Sequence, residues 1–300
     1  MSFLLAITFL TVIPLRGRKR GGGDAVRKGG RPPDVKGSAP LSDPSSAAVA
    51  RAMLWFPVVG CLIGVAAIAV LLLAAEVLPG MLPEVVAVVF LVGLTGALHL
   101  DGLADTFDGV FGGRDRASRL RIMRDSAVGT FGLVAVVCAL LLKVVALAAL
   151  GERDWASHVA LTGRGLWLIE TFGRPRWAQM AVLALMPVWG RWVMTLSAGI
   201  GPYARAEGGT GAAFVKGTGL VESLLLGLIP LGLTGFLLGW PGVLAAGAAT
   251  LAALLALLWW RARLGGVTGD TMGALGELVE VAFVLSALML LPVGTSGPPF

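Results

Sequence analysis

Apolar positions in this chain run in long unbroken blocks, rather than in the alternation of a strand or the one-sided stripe of a soluble helix. Seven blocks, residues 57–78, 83–100, 127–150, 178–200, 218–239, 242–260 and 276–293, are long enough to cross a bilayer, for which about 20 apolar residues suffice. Turn-forming strings, Leu78-Pro79-Gly80-Met81-Leu82-Pro83 and Gly239-Trp240-Pro241-Gly242, separate neighbouring blocks and predict tight hairpins. Residues 1–15 are also apolar, but at about 1.5 Å per residue they reach roughly 22 Å, short of the roughly 30 Å hydrocarbon core. Their basic cluster follows the apolar run instead of preceding it, which points to an uncleaved re-entrant or interfacial segment. The expected fold is all-α: a polytopic transmembrane helical bundle of about seven spans plus this N-terminal segment, forming a single integral membrane domain over residues 1–300.

Composition agrees with that pattern. Apolar residues make up 56% of the chain and charged residues 14%, against about 25% charge in soluble domains. The net charge of +6 does not point to nucleic acid, because the basic residues flank the spans, as topology signals do. Residues 16–51 hold nine basic residues against three acids, which assigns them to the cytoplasm. Within them, residues 17–50 are rich in Gly, Pro, Ser and charge and read as a flexible cytoplasmic loop. One hairpin later, residues 101–125 carry Arg114, Arg116, Arg119, Arg121 and Arg124, a second count for the same side. Alternation adds residues 202–216 and 261–276 to that face. The loop at 151–177 should then face outward although it carries four arginines, and an extra interfacial helix is expected near 166–171. Trp55, Trp155, Trp177, Trp240, Trp259 and Trp260 fall near span ends, where indoles favour the headgroup zone. Cys61 and Cys138 lie far apart in apolar runs, which excludes a disulfide framework or a cysteine zinc site.

The chemistry is concentrated in one place. Five of the 18 acids lie within residues 101–125, directly after an apolar block, and acids at the hydrocarbon border are costly and usually functional. On a continuing helix, Asp101, Asp105 and Asp108 stand at i, i+4 and i+7 and share one face. Like charges so close need a cation between them, and magnesium is the usual hard ion where phosphates complete the octahedron. The arginines that follow suit a phosphorylated substrate, although two or three of the five are expected only to anchor topology. Two further polar islands lie on the same side: Pro202-Tyr203-Ala204-Arg205, where Arg205 is a candidate phosphate contact, and Gly269-Asp270-Thr271, where Asp270 is a candidate metal ligand with Glu277 seven residues on. His99 is read either as a substrate contact or as a hydrogen-bonded structural residue. Arg191, inside a span, needs an anionic or carbonyl partner. No nucleophile elbow, Walker loop or paired-histidine zinc motif occurs.

At these residues the sequence resembles the cobalamin-5′-phosphate synthase family, also called adenosylcobinamide-GDP ribazoletransferases. The resemblance rests on the block from His99-Leu100-Asp101-Gly102-Leu103-Ala104-Asp105 to Thr106-Phe107-Asp108-Gly109, and on Arg121-Ile122-Met123-Arg124-Asp125-Ser126 with Gly129-Thr130. Supporting blocks are Phe9-Leu10-Thr11, Trp55-Phe56-Pro57-Val58-Val59-Gly60, Ile63-Gly64, Pro202-Tyr203-Ala204-Arg205 and Gly269-Asp270-Thr271. Ala127 departs from the family's usual basic residue, and residues 17–50 and 151–177 look longer than the family's connections.

The resemblance implies a magnesium-dependent transfer that joins adenosylcobinamide-GDP to α-ribazole 5′-phosphate, or α-ribazole, and releases GMP. It also implies a bacterial inner membrane location, with the lipid bilayer around the protein and the active site facing the cytoplasm. On this reading Asp101, Asp105, Asp108 and Asp270 hold the metal. Arg114, Arg121, Arg124, Arg205 and His99 bind substrate, and Asp125 is the base, with base and ligand exchangeable between Asp108 and Asp125. A homo-oligomer is compatible with the sequence. The competing readings are a CDP-alcohol-type membrane phosphotransferase, which cleaves a similar pyrophosphate, and an ion-coupled transporter, which usually carries internal repeats and midplane acids.

Overall fold

The computed structural model describes residues 2–13, 51–152, 176–209 and 211–291. The expected loop at 17–50, Trp155 and the helix expected near 166–171 lie outside them. The described chain is helical: α1 Ser2–Leu10, α2 Phe56–Ala75, α3 Leu82–Leu94, α4 Leu98–Gly112, α5 Arg116–Ile122, α6 Thr130–Gly151, α7 Trp177–Ile200, α8 Ala212–Gly217, α9 Leu220–Leu226, α10 Leu228–Leu264 and α11 Gly269–Leu290. Extended pairing among the described residues is limited to one parallel bridge, Tyr203 with Val267.

Helix α7 is the axis of the bundle. All of its residues from Ala178 to Ala198 except Ala184 are buried, and it packs against α2, α10 and α11. The approach to α2 needs small residues: a Cβ on Gly60 would lie 2.7 Å from the Pro187 carbonyl oxygen, and Gly64 sits one turn on against Ala184. The outer helices expose leucines, valines and phenylalanines that no protein covers, as expected where lipid is the solvent. Five described segments are long and apolar enough to cross a membrane, or six if α3 and α4 count together. The longest, Leu220–Leu264, reverses at Gly239, whose φ of 63° and ψ of −158° are non-helical. Beyond this point Val243 lies back beside Gly235, 3.7 Å from where a Cβ would stand, so the Gly-Trp-Pro-Gly string does make a turn.

Two expectations need correction. The block 83–100 is not one straight helix. Its two parts, α3 and α4, are bent by 85°, because Gly96 (φ 60°) and Ala97 (φ 55°) are left-handed and cannot continue a right-handed helix. Thr95 turns its hydroxyl back onto the Leu91 carbonyl (2.9 Å). Val12, just beyond α1, donates its N–H to the Leu94 carbonyl across the break (2.9 Å). The last span begins at Gly269, not 276: the Thr268 hydroxyl accepts from Thr271 N (3.1 Å), while the Thr271 hydroxyl accepts from Thr268 N (2.8 Å). This capping box draws the polar Gly269-Asp270-Thr271 island into the first turn of α11.

Candidate active site

The bend lays α4 against α11 and α6, and glycines let three elements close around it. A Cβ on Gly102 would lie 2.7 Å from the Asp270 carbonyl oxygen, so α4 and the first turn of α11 meet backbone to backbone. That contact gathers Asp101, exposed, and Asp105, half-buried, with Asp270, and these carboxylates lie within electrostatic reach of one another. Gly109 and Gly113 give way to Arg119 and Met123, and α5 folds back on α4.

Asp108 points the other way. Its Oδ2 accepts the Gly129 N–H (2.7 Å) and its Oδ1 accepts the Gly132 N–H (2.9 Å). The buried carboxylate thus caps the start of α6, where free N–H groups and the helix dipole favour an anion. Gly132 is required there, because a Cβ would lie 2.5 Å from Asp108 Oδ2 and 2.7 Å from the Ala104 carbonyl oxygen.

The arginines divide by role. Arg116 donates to the Ala204 carbonyl (2.9 Å) and Arg119 to the Arg263 and Arg114 carbonyls (3.4 and 3.3 Å), so these two tie α5 to the 201–209 loop and to the last turn of α10. Arg114 is exposed and lies outside the cleft that α5 forms with the 201–209 loop. That cleft, about 420 Å³, is lined by Arg116, Arg121, Arg124, Arg205 and Glu207 among others. The loop is held by the Tyr203–Val267 bridge, with Ala204 N donating to the Val267 carbonyl (2.8 Å) and Val267 N to the Pro202 carbonyl (2.9 Å). Arg205 donates to Asp270 Oδ2 (2.6 Å) and so joins the cleft to the carboxylates. Arg124 pairs with Glu207 at 3.0 Å, and that hydrogen bond holds the Glu207 carboxyl below its ordinary range.

Carboxylates on one side and arginine forks on the other are the groups that a metal-bound phosphorylated ligand would need. The cobalamin-5-phosphate synthase family model matches residues 2–288. The chain belongs to that family. It is 32% identical to the adenosylcobinamide-GDP ribazoletransferase of Desulforamulus reducens over 288 residues, 96% of either chain. The protein of the same name from Chlorobaculum tepidum is 38% identical over 245 residues, covering 79% of this chain and 86% of the relative. That from Ectopseudomonas mendocina is 38% identical over 263 residues, covering 83% and 91%. No solved structure matches.

Within this family member, the residues singled out by sequence fall into three environments. Asp101, Asp105 and Asp270 gather at one face, while Arg121, Arg124 and Arg205 line the cleft beside them. Asp125 is exposed in the turn between α5 and α6, where its Oδ1 accepts from Ala127 N (3.1 Å). His99 lies elsewhere: it is buried, and its Nδ1 is 3.4 Å from Arg191 Nη2. Arg191 donates to Glu280, the anionic partner its position demanded. Lys143 completes this network, donating to Glu277 and Glu280 at 2.6 Å each. Glu277 therefore faces Lys143, and two cations balance two carboxylates inside the bundle. Sequence reasoning missed Lys143. Its signal was a lone lysine inside an apolar block, which in a span demands an acid.

The donor set fits magnesium held jointly with a substrate. Among the described residues no three His, Cys, Asp or Glu side chains form a ready cage, and magnesium commonly takes one or two carboxylates, completing its shell with water and phosphate. The crowding of Asp105 by Asp101, Asp270 and Asp108, opposed by Arg205, leaves negative charge for a cation to offset.

Proposed function

We propose that this chain is an adenosylcobinamide-GDP ribazoletransferase, joining adenosylcobinamide-GDP to α-ribazole 5′-phosphate, or α-ribazole, and releasing GMP. The observation that carries the reading is the Arg205–Asp270 pair, which sets a carboxylate face directly against an arginine cleft in a member of this family. A diphosphate needs both.

Asp101, Asp105 and Asp270 would supply the one or two carboxylates that hold magnesium, with Asp108 behind them keeping a spare lone pair on each oxygen. Bound there, the ion would offset charge on the diphosphate. Arg121, Arg124 and Arg205 grip its free oxygens and fix its orientation. The acceptor's ribose hydroxyl oxygen attacks the phosphorus on the cobinamide side. The bridging P–O bond breaks, and GMP leaves with that oxygen. Asp125, with one carboxylate oxygen engaged by Ala127, takes the hydroxyl proton on the other. This is direct displacement, in which positioning and charge stabilisation carry the catalysis.

The same reading gives seven crossings, with α3 and α4 as one bent passage and the chain reversing at Gly239. It places α1 at the interface and the site on the cytoplasmic side of a bacterial inner membrane, where the basic segments collect. The test is GMP release from adenosylcobinamide-GDP by membranes bearing the protein. Release that depends on α-ribazole 5′-phosphate supports the reading, whereas CMP release from a CDP-alcohol, with no GMP, overturns it.

A further inference from the structure

Arg205 is the one residue that belongs to both halves of the site. It lines the cleft, its Nη2 lies 2.6 Å from Asp270 Oδ2, and only 12% of its side chain is exposed. Its Nε is buried and has no hydrogen-bond partner. A guanidinium offers five donors in a planar fork and favours bidentate acceptors, so a bond to a single carboxylate oxygen and a contact with the Tyr203 hydroxyl leave it under-used. The orphaned donor calls for an acceptor that the described residues do not supply. Asp270 is likewise engaged twice over: besides Arg205 it meets the Thr268 hydroxyl at 3.4 Å, and it faces Asp101. While Arg205 and Thr268 hold Asp270 Oδ2, a cation beside Asp101 and Asp105 is left only the other oxygen of that carboxylate and meets an opposing positive charge. An anion in the cleft meets a fork already occupied by a carboxylate.

We propose that Arg205 and Asp270 form an exchange pair, in which a phosphate entering the cleft takes the Arg205 fork and the released Asp270 carboxylate turns to the divalent cation. This rests on the site reading above and adds to it a coupling. Each ligand alone works against the pair, whereas two together break it once, so anion and cation load cooperatively, and the coupling is reciprocal. The pair also keeps the empty site closer to neutral, stabilising it against the repulsion of its own carboxylates.

The experiment is Mn2+ binding to the purified full-length protein in detergent, read by electron paramagnetic resonance of the free ion with no nucleotide present. Arg205→Gln releases Asp270 and should tighten Mn2+ binding about three- to tenfold, the reach of a partly buried ion pair. Removing any nearby positive charge helps a cation somewhat, so Arg121→Gln, in the same cleft but not paired with Asp270, serves as the comparison and should give a smaller gain. In an Asp270→Asn background the extra gain of Arg205→Gln should vanish, which isolates the pairwise effect. Equal gains in Arg205→Gln and Arg121→Gln, or a gain that survives Asp270→Asn, overturn the exchange. If Mn2+ binds the wild type, weakens in Asp101→Asn and ignores Arg205→Gln, the exchange falls and the metal site stands. If Mn2+ binds none of these proteins, both fall.

Discussion

At Asp108, replacing the carboxylate by an amide sets an NH2 group against one of two backbone donors, Gly129 N and Gly132 N. Asp108→Asn should therefore lower stability by about 1–3 kcal/mol, the cost of a buried donor without an acceptor, seen as earlier thermal unfolding in detergent. Asp101→Asn and Asp105→Asn, at more open positions, should abolish turnover at limiting magnesium and leave the unfolding temperature within a degree or two, roughly. Unfolding shifts of equal size in all three would contradict this division of labour. A separate contrast concerns Asp125. As a base it acts only on the hydroxyl proton, so Asp125→Asn should lower kcat by about 10² to 10⁴, with the magnesium midpoint unchanged. Asp105→Asn should instead raise that midpoint; full recovery of Asp125→Asn at high magnesium would make Asp125 a ligand. The sequence placed Asp101, Asp105 and Asp108 on one helix, and they are on one. It did not reveal that Asp108 caps a helix 21 residues away, since a hydrogen bond of that range leaves no local spacing signal. The same limit hid which arginines tie elements together: the carbonyl partners of Arg116 and Arg119, Ala204 and Arg263, lie 88 and 144 residues on.

Between elements, the buried network of Lys143, Glu277, Glu280, Arg191 and His99 joins α6, α11, α7 and α4 in one balanced cluster. Taking away one member leaves a buried charge uncompensated, which typically costs about 3–5 kcal/mol. Lys143→Met should thus strongly reduce the folded yield in membranes, and Lys143→Met with Glu277→Gln, which restores the balance, should recover much of it. A single variant as stable as the wild type would show that the network contributes little. The all-helical, membrane-crossing character and the Gly239 reversal were legible because length, apolarity and turn residues are local. The α3–α4 bend was not, because Ala97 adopts a left-handed conformation that its residue type disfavours and that its surroundings impose.

For the whole molecule, the proposed sidedness rests on the basic counts of 16–51 and 114–124, which by the positive-inside rule belong on the cytoplasmic face. A reporter active only outside the cytoplasm should be active when fused after Gly80 and silent after Gly112; the reverse pattern would invert the map. The account's central claim joins that sidedness to the chemistry, namely that the face bearing Asp101, Asp105 and the arginine cleft carries out ribazole transfer from the cytoplasm. It is tested most directly by supplying adenosylcobinamide-GDP and α-ribazole 5′-phosphate to sealed inside-out and right-side-out vesicles made from cells expressing the chain. The account predicts acceptor-dependent GMP release from inside-out vesicles alone, lost in Asp105→Asn. Release from right-side-out vesicles, or undiminished release by Asp105→Asn, would contradict it.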